Sequence, residues 1–146
     1  MKNLLLSGLI GIAIVVALDA IFRISISVFA GIEIDIIYYR PYGAVLWKLL
    51  IVMFSAISAF AGGMFAVSYH SDQKKTAIIF FSVLLVLLKY IQVHFMIGLE
   101  TLVYPVAALV FALLGVVLVW RLRVSQKESQ VEEPPKKHHQ PDVDPW

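Results

Sequence analysis

Apolar positions along the chain gather into four long runs, at about residues 4–23, 44–69, 76–95 and 102–122, parted by short polar or turn-forming stretches. A helix of about 20 apolar residues crosses the roughly 30 Å hydrocarbon layer of a bilayer, so each run predicts one membrane-spanning helix. The first run begins right after Met1, Lys2 and Asn3, like the leader of a secreted protein. Asp19 breaks its small-residue end and Ile21 and Phe22 carry the apolar run onward, which predicts an uncleaved first span. Gly8 and Asp19 lie almost three turns apart on that helix, so both are expected on one inward face.

Between Ile24 and Ile36 the period shortens from helical to strict alternation, with Ile24, Ile26, Val28, Ile32, Ile34 and Ile36 against Ser25, Ser27, Glu33 and Asp35. Folding the stretch about Phe29, Ala30 and Gly31 puts all six apolar residues on one face. The sequence therefore predicts a short β-hairpin outside the membrane, between the first two spans, with Gly31 in a left-handed conformation. Tyr38, Tyr39, Tyr42 and Trp47 follow around Pro41 and Gly43, where amphipathic rings suit the headgroup layer.

The second run carries small residues on two parallel four-residue repeats, Ser55, Ala59 and Gly63 beside Ser58, Gly62 and Ala66. Lipid removes the hydrophobic force between helices and leaves close backbone approach as a main source of association. This helix is therefore expected to be the packing hub, either within the protein or between copies of it. A polar turn at residues 70–75 makes the second and third spans an antiparallel pair. Pro105 fits the first turn of the fourth span, and Ala108, Ala112 and Gly115 give that span a small flank of its own.

Composition agrees with the pattern: 60% of the 146 residues are hydrophobic and 15% charged, against about a quarter charged in soluble domains. The mean hydropathy of +0.86 points the same way. With no Cys there are no disulfides and no thiolate metal sites, and a net charge of +2 offers nothing to nucleic acid. How that charge is distributed says more. Lys2, Lys74, Lys75, Arg121, Arg123, Lys127, Lys136 and Lys137 fall on one side of a four-span layout, with Arg23, Arg40, Lys48 and Lys89 at or near the other. The positive-inside rule then places both termini in the cytoplasm, in a plasma membrane such as the bacterial inner membrane. Residues 125–146 are too polar to offset the entropy of ordering and are expected to form a disordered cytoplasmic tail, His138 and His139 included.

Chemistry is sparse. Asp19 stands about 22 Å along the first span and Lys89 about 20 Å along the third, and both spans run the same way, so the two charges reach similar depth. An unpaired charge in hydrocarbon is costly, and Ser82, Lys89 and Gln92 share a helix stripe. Asp19, Arg23, Lys89, Gln92 and His94, with Lys48 nearby, are therefore candidates for one polar cluster below the hairpin. Two plainer arrangements compete. Arg23, Lys48 and Lys89 can snorkel to the headgroups, and Asp19 can bridge to Arg23 four residues on. No catalytic spacing, phosphate loop or metal-ligand set stands out, so no catalytic residue, cofactor or metal is assigned.

The expected class is an all-α membrane protein, a four-transmembrane-helix bundle over residues 1–124. Its expected role is non-enzymatic: a small subunit, an assembly partner of a larger membrane protein, or a bundle that self-associates through its small-residue faces. The rival expectation is a small homo-oligomeric transporter or channel with Asp19 and Lys89 in its pathway.

Overall fold

The computed structural model describes residues 2–31, 45–69, 73–96 and 103–125. Within them the chain forms four α-helices: α1 (Lys2–Ala30), α2 (Val45–Tyr69), α3 (Lys74–Met96) and α4 (Val103–Val119). A π-helical turn, Trp120–Ser125, prolongs α4. The protein is all-helical over the described residues, and all four helices are long and apolar enough to span a membrane.

Neighbour contacts fix the directions. Gly11 of α1 meets Gly62 of α2, and Phe22 stacks on Phe54, so α1 and α2 are antiparallel. Gly8 meets Phe80, and Asp19 meets Lys89, so α1 and α3 run parallel. Tyr104 reaches Lys48 while Gly115 abuts Ala56, which sets α4 parallel to α2. The result is an up-down-up-down bundle.

The small-residue helix α2 is its centre: 44% of its most apolar window is buried, against 22–28% for the other three helices. Ser55, Ser58, Ala59, Gly62, Gly63 and Ala66 are all buried inside the protomer. Gly62 turns to Gly11 and Val15 of α1, whereas Gly63 turns to Val119 of α4 and to Ile78 and Phe81 of α3. Phe81 reaches both glycines, and both rows are buried within one chain. This removes them as faces for self-association. The interior is filled by Val15, Val67, Ile78, Phe81, Leu85, Ala112 and Val119, while Leu5, Leu9, Leu49, Met53, Ile79, Val83, Val110 and Leu114 point outward, as lipid-facing residues should.

The hairpin requires correction. Ile24 to Ala30 continue α1 as helix, and no strand occurs among the described residues; residues 32–44, with the second arm, lie outside them. A lone strand in or beside hydrocarbon leaves half its backbone groups unpaired, whereas a helix satisfies its own. The serines that suggested a polar sheet face also suit the helix: Ser25 Oγ donates to the Ile21 carbonyl at 2.8 Å. Ile26 is buried in a small cluster with Ala30, Trp47 and Ile51. Gly31 does adopt φ of 65°, but to terminate a helix rather than to turn a hairpin. With 29 residues α1 is about 43 Å long, more than one crossing of a bilayer needs.

The π turn has a clear packing logic. Its i→i+5 repeat returns Val124 to the buried side already occupied by Val119, five residues earlier, and leaves Arg121, Leu122 and Arg123 exposed.

Candidate polar site

Helices α1 and α3 bring two charges together inside the bundle. Lys89 Nζ donates to Asp19 Oδ2 at 3.1 Å, with the lysine side chain 4% exposed and the carboxylate side chain 12% exposed. This excludes snorkelling for Lys89. Both residues sit where the first and third helices have climbed to similar height, and Gly8 clears the way two to three turns below. A Cβ there would lie 2.6 Å from the Phe80 ring, so glycine is what lets α1 and α3 approach.

One turn below the pair, Val15 on α1 and Leu85 on α3 are buried, followed by Phe81 and Ile78. These side chains close the interior beneath the charges. Above and beside the pair, Arg23, Lys89, Gln92, Ser55 and Tyr104 line a recess of about 20 Å³ together with Ile51, Val93, Pro105 and Ala108. A water needs about 10–15 Å³ and a few polar partners, so the recess suits a single water.

Of the residues expected in the cluster, Asp19 and Lys89 meet directly, and Arg23 and Gln92 share the recess with Lys89. His94 does not join them. It is exposed, with its ring stacked on Tyr90 one turn earlier, 6.5 Å between centroids. Ser82, expected on the same inward stripe as Lys89, spends its hydroxyl on the Ile78 carbonyl of its own helix at 2.6 Å. Lys48 remains at the end of α2, its ammonium 5.9 Å from the Tyr104 ring centroid, while its carbonyl accepts from the Tyr104 hydroxyl at 2.8 Å. Tyr104 is the site residue the sequence reading missed. Its only signal was an aromatic beside Pro105 at the start of a span, which reads equally well as an interfacial anchor. Ser55, read only as a packing residue, also faces the recess, with its hydroxyl on the Ile51 carbonyl at 3.2 Å.

The pair does mechanical work. A charge on one helix can be satisfied at only one height on the other, so the 3.1 Å contact fixes the vertical register of α1 against α3. Steric packing of Leu, Val and Ile has no such uniqueness.

These features define the class: a four-helix bundle of membrane-spanning character, held by backbone approach and the Asp19–Lys89 ion pair. Compared with known proteins, the chain matches no family model, and neither a curated protein nor a solved structure is similar to it.

Proposed function

We propose that the protein is a non-enzymatic component of the plasma membrane, a small subunit or assembly partner of a larger membrane protein, with both termini in the cytoplasm. One observation carries this reading: the charged groups inside the bundle are closed on each other and sealed below by Val15 and Leu85. Nothing in that arrangement is held ready for a substrate. The small-residue rows are spent inside the protomer, so recognition falls to the outward faces and to the C-terminal end of α1, where Val28 is 73% and Phe29 86% exposed. Purification from native membranes in mild detergent should recover a second membrane protein at a fixed ratio to this chain. Recovery of this chain alone at every detergent concentration tested would count against the proposal.

The orientation rests on the eight-to-four balance of Lys and Arg between the two sides. A periplasmic-type phosphatase reporter fused after Trp146 should be inactive, and one inserted at Gly31 active. The reverse pattern would invert the protein.

The transporter reading keeps one favourable observation, the recess beside Lys89 lined by Arg23 and Gln92. At about 20 Å³ it has room for about one water, and the transport reading places the rest of the pathway between several copies.

A further inference from the structure

The end of the bundle opposite the ion pair gathers cations from two elements that are far apart in sequence. Val119 and Ile78 both touch the position of Gly63, at 3.2 and 3.4 Å from where its Cβ would stand, so these two residues are level with each other. Four residues before Ile78 stands Lys74, the first residue of α3; two and four residues after Val119 stand Arg121 and Arg123 of the π turn. The π turn packs against α3, so the three cations and Lys75 occupy one rim of the bundle. Arg121, Arg123 and Lys75 are exposed and Lys74 is half-buried.

The apolar surface just below this rim is equally open. Val117, Leu118 and Leu122 are 48%, 52% and 47% exposed on the side of α4 and its π turn. Trp120 lies between them, partly buried against the core, at the level where indole rings settle between hydrocarbon and headgroups. The π geometry matters here. By returning Val124 to the core it presents Arg121, Leu122 and Arg123 consecutively to the outside, cation, alkyl and cation. Over residues 70–76 and 120–128 the sequence sets five cations, Lys74, Lys75, Arg121, Arg123 and Lys127, against two acids, Asp72 and Glu128.

We propose that this rim is a docking site for anionic phospholipid, the phosphate and its negative charge held by Lys74, Arg121 and Arg123 and the acyl chains laid along Val117, Leu118 and Leu122. Charge complementarity selects the headgroup, and the open alkyl strip continuous with it selects a lipid over a free anion. In the proposed orientation this rim faces the cytoplasmic leaflet, whose anionic lipids attract basic segments beside membrane helices. The inference does not depend on the assembly role, since a bundle with no protein partner would hold the same lipids.

The test uses the full chain in dodecyl maltoside micelles, titrated with phosphatidylglycerol or phosphatidylcholine, with bound lipid counted by native mass spectrometry. The wild-type chain should retain phosphatidylglycerol well in excess of phosphatidylcholine. Each cation removed should weaken phosphatidylglycerol binding about fivefold, and Lys74→Gln, Arg121→Gln and Arg123→Gln together about a hundredfold. Lys75, which already has an interaction within the chain, is left unchanged. The charge-keeping double variant Arg121→Lys, Arg123→Lys should bind within about threefold of wild type, and Lys48→Gln at the opposite end should bind as wild type. Should the triple variant fail to fold, Arg121→Gln alone carries the fivefold step. Equal retention of the two lipids, an undiminished response in the Gln variants, or a loss as large in Lys48→Gln would each overturn the proposal.

Discussion

Asp19→Asn and Lys89→Met are each expected to reduce the folded fraction sharply, by about 3–5 kcal/mol, because each leaves the other charge alone in a closed interior. The double variant should recover part of that loss. Two neutral side chains of similar size remove the uncompensated charge, and a buried pair contributes far less than the removal of one partner suggests. The exposure values make the case asymmetric: the Lys89 side chain is 4% exposed, whereas that of Asp19 keeps 12%. Asp19→Asn should therefore be the worse of the two, because it strands the deeper ammonium. Folded yield in detergent, followed by thermal unfolding of all four proteins, measures the coupling. Strictly additive losses would mean that the two charges do not depend on each other.

The second large effect is expected at two glycines where helices meet backbone to backbone. A Cβ on Gly115 would collide with the Ala56 carbonyl oxygen and stand 3.0 Å from the Phe60 nitrogen. On Gly62 it would lie 2.5 Å from the Gly11 carbonyl oxygen and 2.7 Å from Val15. Backbone cannot rotate away as a side chain does, so Gly115→Ala and Gly62→Ala must push α4 or α1 off α2. Overpacking of this kind costs about 1–3 kcal/mol, more than the roughly 1 kcal/mol that alanine gains over glycine in a helix. Gly63 is different. Its nearest neighbours are side-chain atoms of Val119, Phe81 and Ile78 at 3.2–3.4 Å, which can give by a few tenths of an ångström. Gly63→Ala should thus be nearly neutral, while Gly63→Leu should destabilise more than Leu50→Ala. Thermal midpoints in one detergent rank the five variants. If Gly63→Ala costs as much as Gly115→Ala, the close approaches do not lie where the structure puts them.

What the sequence disclosed, and what it hid, follows from the physics of each residue. The four helices were legible because hydrocarbon thickness sets a minimum run length that soluble folds do not need. Asp19 and Lys89 could be matched because a helix rises by a fixed 1.5 Å per residue, so depth can be read from position alone. His94 could not be placed this way. Depth says nothing about azimuth, and the side of α3 that carries His94 and Tyr90 faces outward. The serine alternation after Arg23 misled because period two is evidence for a strand only where water can pair the free edge. Serine in a membrane helix returns its hydroxyl to its own backbone, as Ser7, Ser25, Ser55 and Ser82 do, and so contributes no surface polarity to a pattern. The partner of Gly62 was equally hidden, since Gly11 is one of several small residues in α1 and only three-dimensional packing selects it. The π turn left no mark at all, being set by where Val124 finds the core.

Ion flux across liposomes tests the central claim most directly, because that claim is a bundle whose internal charges are satisfied and sealed rather than held open as a route. Purified full-length chain, reconstituted alone at increasing protein-to-lipid ratio, should pass neither protons nor monovalent ions above the rate of protein-free vesicles. Asp19→Asn should not change that. A flux that grows with protein and is abolished by Asp19→Asn or Lys89→Met in folded, reconstituted protein would contradict the account and make the pair part of a pathway.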